Sequence, residues 1–266
     1  MKIAALACCL ALAAAAQADT TLEYDVVFDG KKGGAQTTVV GDDGRLRVSY
    51  SHRSNGRGPD LAEEISLAPD GTFRRYRLTG TTTYGAVLDE EFTVARGHAK
   101  WRSSAEQGTQ ELKAPAIYLP NYGSPETNAI IVRATQRAGG RLPGLPGGEL
   151  RSERLKQLRV GAAGQERAVA LYATYGAGLQ PDYVWLDDDA DMRLFANINV
   201  GGSHMTRRGY GAVSKELELA QEAAHAALLR AIAAKQAHHL PGPILIRDVR
   251  VFDSKSAALG APADLY

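Results

Sequence analysis

The stretch "RLRVSYSHR", Arg45 to Arg53, decides the fold class. Leu46, Val48 and Tyr50 fall on one face, with arginine and serine between them. Strict apolar/polar alternation marks a strand with one face buried and the other in water. Upstream, "LEYDVVF" (Leu22–Phe28) reads as a strand, "DGKKGG" (Asp29–Gly34) as a turn, "AQTTVV" (Ala35–Val40) as the returning strand and "GDDG" (Gly41–Gly44) as the next turn. Downstream, "EISLAPDGTFRRYRLTGTTTYG", beginning at Glu64, repeats the theme, with Pro69-Asp70-Gly71 as its hairpin turn. "AVLDEEFTVARGHAKWRS" adds a further pair that turns near Gly97. The pattern is that of an antiparallel meander in a large curved sheet with one wetted face.

Beyond the meander, "PAIYLPNYGSP" (Pro115–Pro125) breaks the alternation, and a short helix is expected over Asn128–Gln136. "GGRLPGLPGGE" (Gly139–Glu149) reads as a loop. Strands resume with "ERLKQLRV" (Glu153–Val160) and "ERAVALYATYG" (Glu166–Gly176), and "PDYVWLDDDADMRLFANI" (Pro181–Ile198) reads as strand, acidic turn, strand. From Ser214 to about Gln236, Leu217, Ala220, Ala224, Ala227, Leu228 and Ala231 recur at helical spacing, with Ser214 as the expected N-cap. Pro241-Gly242-Pro243 stops that helix. The expected fold is mainly β with one long helix (α+β). A β-rich module over residues 19–211 is followed by a helical connector over 212–240 and a separate segment over 241–266.

Residues 1–18 have the form of a secretory signal peptide: Lys2, an apolar run from Ile3 to Ala16, and an Ala16-Gln17-Ala18 cleavage site. A periplasmic or extracellular location follows as an expectation. Cys8 and Cys9, the two cysteines, lie in the middle of the apolar run and not at its end. This favours a soluble exported protein over a lipid-anchored one, and leaves the mature chain without disulfides or thiolate ligands. Thirty-one Lys and Arg against 30 Asp and Glu, interspersed, give no support for nucleic-acid binding. No later segment is long and apolar enough to be read as a membrane-spanning helix.

The final residues add a resemblance. "ILIRDVRVFD" (Ile244–Asp253), followed by a loop and "LGAPADLY" (Leu259–Tyr266), resembles the opening strands of metal-dependent amidohydrolases of the imidazolonepropionase-like kind. The resemblance covers about twenty residues. It implies a small β-sandwich that would stand beside a metal-binding (β/α) barrel, and zinc or another divalent cation in a full-length parent. The family's His-x-His motif is absent here, so the resemblance assigns no catalytic, cofactor-binding or metal-ligating residue to this chain. The expectation is an inactive N-terminal fragment of an exported amidohydrolase, with the tail as the first strand pair of a truncated sandwich. The alternative is a stand-alone periplasmic β-sheet protein that binds or carries an apolar ligand. An intact small hydrolase with an unfamiliar site is a third reading. Apolar residues on both faces of Ile244–Phe252 imply a segment that is poorly ordered, folds back on Ala263–Tyr266, or associates with another chain.

Other constellations read as structural. His238-His239 are adjacent on a helix and splay apart, where chelation favours i,i+4 spacing. Asp187-Asp188-Asp189-Ala190-Asp191 lacks the glycine and glutamate of a calcium loop and reads as an acidic hairpin tip. Gly201–His204 ("GGSH") is no nucleophile elbow, and His52, His98 and His225 are isolated. Tyr118, Tyr122, Tyr172, Tyr175, Tyr183 and Trp185 are numerous enough to line a groove for an apolar ligand.

Overall fold

The computed structural model describes residues 19–238 and 242–266. The expected leader and His239 lie outside the described residues. The chain falls into two compact units, one running to Ala224 and the other from His225 to Tyr266.

In the first unit, eight strands form an antiparallel meander: β1 (Thr20–Phe28), β2 (Lys31–Val40), β3 (Leu46–His52), β4 (Asp60–Leu67), β5 (Phe73–Thr81), β6 (Val87–Ala95), β7 (His98–Arg102) and β8 (Gln107–Glu111). A two-residue strand β9 (Ile117–Tyr118) leads into helix α1 (Pro125–Arg137). A second meander follows: β10 (Arg141–Leu145), β11 (Glu149–Val160), β12 (Arg167–Tyr175), β13 (Asp182–Asp187), β14 (Leu194–Ile198) and β15 (His204–Arg207). β15 returns to pair antiparallel with β1, through Tyr24 opposite Arg207 and Val26 opposite Met205. The two meanders thereby fuse into one 15-stranded sheet, ordered β8-β7-β6-β5-β4-β3-β2-β1-β15-β14-β13-β12-β11-β10-β9.

One helix shows that the sheet is curled. Ile130, Ile131 and Ala134 of α1 pack in a cluster with Leu46, Ile65, Tyr76 and Phe92. Ala129 and Val132 of the same helix pack with Tyr24, Val184, Leu186 and Met205. β4 and β13 stand six strands apart in the order, about 29 Å if the sheet were flat at 4.8 Å per strand. An α-helix is only ~10 Å across, so the sheet must wrap around α1. The wrapping accounts for the sequence of α1, in which ten of 13 residues are buried. A helix enclosed on nearly all sides must give each polar side chain that it buries a partner. Of its four buried polar residues, Thr127 and Thr135 use their hydroxyls in hydrogen bonds to Glu63 and to the Ile131 carbonyl, while Glu126 and Arg133, seven residues apart and so on one face, form a buried ion pair at 2.8 Å.

The alternation read from Arg45–Arg53 holds across this half of the sheet. Leu46, Ile65, Tyr76, Phe92 and Trp101 form one inward cross-strand row. Arg47, Glu64, Arg77, Glu91 and Arg102 form the neighbouring outward row. β12–β14 differ, being apolar on both faces. Ala170, Tyr172, Val184 and Leu186 point toward α1, while Val169, Leu171, Trp185 and Phe195 point away and are covered by Leu217, Ala220 and Ala224. Those last three belong to α2 (Ser214–Gln236). The run "AVALYAT" is therefore a strand covered on both sides.

Several local expectations are revised. The first turn is only Asp29-Gly30, both in the left-handed region at φ 47° and 75°, the dihedral pattern of a two-residue hairpin loop. Lys31–Gly34 belong to β2. The segment expected as a Gly/Pro loop contains β10, which pairs with β11 through Leu142 and Leu150. Ser214 has helical dihedrals (φ −56°, ψ −38°) and continues a 3-10 turn at Gly211–Val213, so it is no N-cap.

One glycine inside a strand marks a close backbone approach. Gly80 of β5 has φ 141°, and a Cβ there would stand 1.9 Å from the Asp60 carbonyl oxygen. Gly80→Ala should lower the unfolding free energy by about 3 kcal/mol, from the forbidden dihedral and the clash together. Gly85 has φ 85° and no atom within 4 Å of the added methyl, so Gly85→Ala should cost only about 1 kcal/mol. Equal urea midpoints for the two variants would refute this account.

The second unit contains the last turns of α2 and two small sheets. β16 (Ile246–Val249) pairs with β19 (Ala263–Leu265), and β17 (Phe252–Asp253) pairs with β18 (Ala258–Leu259). The segment expected as one strand over Ile244–Phe252 is interrupted, with Asp248 at φ 53°. The tail folds back on itself as a pair of short hairpins, with Ile244, Phe252 and Tyr266 exposed.

Candidate functional site

The entry to α1 is built on two buried carboxylates from neighbouring parts of the sheet. Glu63 of β4 points inward and is 1% exposed. It accepts hydrogen bonds from the Ser124 backbone N–H (2.7 Å), the Ser124 hydroxyl (2.6 Å), the Thr127 hydroxyl (3.0 Å) and the Tyr76 hydroxyl (3.1 Å). Ser124 makes no side-chain cap of its own. Glu63 therefore supplies from the sheet the acceptor that the first turn of α1 needs, at the positive end of the helix dipole. Burial pushes its carboxyl above the ordinary range, against the opposing pull of those hydrogen bonds.

Glu90 of β6 holds the segment just upstream. It accepts from the Tyr118 hydroxyl (2.7 Å) and the Asn121 N–H (2.9 Å), and burial raises it too. Tyr118 stacks on Phe92 at 4.6 Å with the rings 8° from parallel. Tyr118 belongs to β9, the end strand of the sheet. The curl thus brings the end strand β9 against β6, third from the other end of the sheet, through side chains, and residues 118–127 are fastened to β4 and β6.

A cavity of about 130 Å³ lies between that fastened segment and β11–β13. Leu119, Pro120, Ile131, Leu150 and Val184 supply apolar walls, and Thr127, Asn128, Thr174 and Asp182 supply polar groups. Asp182 is exposed at the surface, yet enough protein surrounds its carboxyl to raise it above the ordinary range. The arrangement can enclose a small, mostly apolar body and present one acidic group to its polar end.

The aromatic residues expected to line a groove do not gather there. Tyr183 borders the cavity. Tyr118 sits in the Glu90 fastening, and the Tyr122 hydroxyl is 3.4 Å from that of Thr83. Tyr172 is buried against α1's cluster. Tyr175 is overlaid by the Arg151 guanidinium at 4.3 Å. Trp185 lies on the opposite face of the sheet and donates its indole N–H to Gln221 at 3.2 Å. Period-two alternation along β13 separates Tyr183 and Trp185 from Val184 and Leu186.

In the acidic stretch Asp187–Asp191, Asp187 ends β13 and the rest lies in the link from β13 to β14, as expected of a hairpin tip. Its first residue is a structural one: Asp187 is buried and accepts from Arg207 Nη1 at 2.8 Å. Among the described residues no group of three or more His, Cys, Asp or Glu side chains is arranged to hold a metal ion. His204 lies 3.4 Å from Glu218, and His52 contacts the Tyr50 hydroxyl at 2.9 Å. His98 meets the Arg96 carbonyl at 3.1 Å, and His238 is exposed past the end of α2. Sequence reading missed Glu63 and Glu90. The visible signal was a carboxylate at an inward position of a strand: Glu63 between Leu61 and Ile65, and Glu90 between Leu88 and Phe92.

No protein-family model matches the chain, and no curated protein matches it. Similar solved structures include a β-barrel-like protein of a domain of unknown function, DUF1849, from Brucella abortus. It is 12% identical, with a TM-score of 0.45 over 70% of this chain and 94% of that one. A DUF1089 family protein from Pseudomonas aeruginosa is also 12% identical, with a TM-score of 0.29 over 74% of this chain and 97% of that one. These findings overturn the expected amidohydrolase kinship, and with it the reading of the chain as an inactive amidohydrolase fragment. The physical reason is that about twenty residues of β-branched side chains, arginines and aspartates specify a strand and a turn, which many unrelated hairpins share. Here those residues form two short hairpins in place of one continuous strand.

Proposed function

We propose that the protein is a stand-alone β-sheet binding protein, exported by its leader to the periplasm or beyond, that holds a small amphipathic molecule beside α1. The observation that carries this reading is the cavity of about 130 Å³, apolar on its walls, with the Asp182 carboxyl at its rim. An apolar cavity of about 150 Å³ accommodates benzene, so the size fits one ring or a short alkyl chain. The acidic rim favours a ligand whose polar end is a cation or a hydrogen-bond donor. No helix among the described residues is long and apolar enough to cross a membrane.

Benzylamine is a suitable probe, titrated by NMR against residues 19–266. Wild type should show saturable shifts at Ile131 and Val184. Ile131→Trp should abolish them by filling the space. Asp182→Asn should weaken binding about fivefold, as expected for one partly exposed charge pair. Benzyl alcohol should bind Asp182→Asn and wild type alike. No saturable binding of either probe, or binding unaffected by Ile131→Trp, would refute the proposal.

A further inference from the structure

Far from the cavity, on the outward face of β3–β6, the regular alternation of β5 fails at one place. Phe73 and Tyr76 both point inward although they stand three positions apart, not two. Ser66 pairs with Arg75 and Leu67 pairs with Phe73, leaving Arg74 unpaired in the register. This is a β-bulge, a device that re-aims side chains. Its effect is to turn two consecutive arginines, Arg74 and Arg75, to the same exposed face.

The other arginines of this face are neutralised locally. Arg77 and Arg102 share Asp89 and Glu91. Arg45 pairs with Asp43 at 3.2 Å and Arg47 with Asp19 at 3.2 Å. The side chains of Arg74 and Arg75 make no hydrogen bond or ion pair among the described residues. They border an outward concavity of about 430 Å³, together with Arg45, Arg47, Ser66, Thr93 and a single carboxylate, Glu64. Glu64 is the one carboxylate bordering this concavity, against four arginines, so the place carries excess positive charge.

We infer that this concavity is a binding site for a phosphate group, with Arg74 and Arg75 as its two forks. A carboxylate has one charge and two oxygens, which a single guanidinium satisfies. A phosphate monoester or free phosphate carries more charge and at least three free oxygens, matching two guanidiniums that each donate in pairs. The hydroxyls of Ser66 and Thr93 border the same concavity and can donate to the remaining oxygen. Glu64 sets a limit on charge, disfavouring a purely non-specific anion surface. The phosphate can be free in solution or carried on a lipid headgroup.

The test uses the exported chain, with sodium phosphate titrated by calorimetry and, separately, sedimentation with vesicles containing phosphatidic acid, a phosphomonoester, against vesicles of phosphatidylcholine. The variants are the double substitution Arg74→Gln/Arg75→Gln and the control Arg159→Gln, an exposed arginine on β11. Binding of phosphate or of phosphatidic-acid vesicles should be about tenfold weaker in the double variant, unchanged in the control, and reduced by added salt. The melting temperature of the double variant should stay level or rise, because only repulsion is removed. Binding to free phosphate alone identifies a soluble source, and binding to vesicles alone identifies a lipid. Failure to bind either, or equal binding by the double variant, overturns the inference.

Discussion

Glu63→Ala is expected to lower stability by about 4 kcal/mol and to loosen the entry of α1. The substitution deprives the Ser124 N–H, the Ser124 and Thr127 hydroxyls and the Tyr76 hydroxyl of one common acceptor. All lie where water has little access. Glu63→Gln keeps one oxygen for the N–H and turns an amide toward the Ser124 hydroxyl, so it should stay within about 1 kcal/mol of wild type. The pH dependence distinguishes a charge effect from a packing effect. Burial raises the Glu63 carboxyl in the folded state. Its contribution is therefore fully present below the unfolded-state value, about 4.3, and is lost as pH rises through the raised folded value. Glu90, raised by the same cause, acts in the same direction. Glu218 acts in the opposite direction and lower on the scale. The Gly201 N–H first, and then Lys215, hold it at about 2, so its contribution disappears only as pH falls through the acid range. Melting temperatures from mildly acidic to neutral pH should therefore decline in wild type, with a shallower slope in Glu63→Gln. An unchanged slope in that variant would sink the charge argument, and a stable Glu63→Ala would sink the role of Glu63 in capping α1.

Arg207→Ala should cost a similar amount, about 3–5 kcal/mol, because it strands a buried charge. The Asp187 side chain is 4% exposed, and its other cationic neighbour, Arg167, stands 4.0 Å away. Arg207 also donates to the Leu194 carbonyl and lies over the Phe195 ring at 5.5 Å. One side chain thus ties β15 to β14 and to the end of β13, close to where β15 joins the two meanders. Asp187 Oδ1 and Arg207 Nε are buried without partners, so the pair is incompletely satisfied even in the native protein. Replacing both members by apolar residues, Asp187→Leu/Arg207→Met, should therefore be less destabilising than Arg207→Ala alone. Urea unfolding of Asp187→Leu, Arg207→Met and the double variant measures this coupling. A double variant as unstable as the sum of the singles would show that the pair has no private interaction.

The tertiary structure explains why the strands were legible and the site was not. Alternation in "RLRVSYSHR" reports a single physical fact, that one sheet face is dry, and it holds wherever the opposing face is wet. The same rule could place Glu63 and Glu90 on the inward face, but not their partners. Those come from Ser124, Thr127 and Tyr118, up to 64 residues away, and meet them only because the sheet curls. Helix α1 was expected three residues late at its start because its N-terminal acceptor is supplied by a distant strand, not by Ser124. The tail misled for the converse reason: a short apolar, β-branched stretch looks like any other strand when nothing records what it packs against.

By itself, the sequence determined the local periodicity: the meander, the hairpin turns, the position of the long helix and the outward row of charges. These depend on contacts between near neighbours, or on whether a residue faces water, and both are written into adjacent letters. The tertiary structure alone decided the rest. It sent β15 back to β1, wrapped the sheet around α1, set two buried glutamates under that helix and left a cavity beside it. Each of these requires residues distant in sequence to meet, and their meeting is governed by the volume the sheet must enclose and the polar groups it must satisfy.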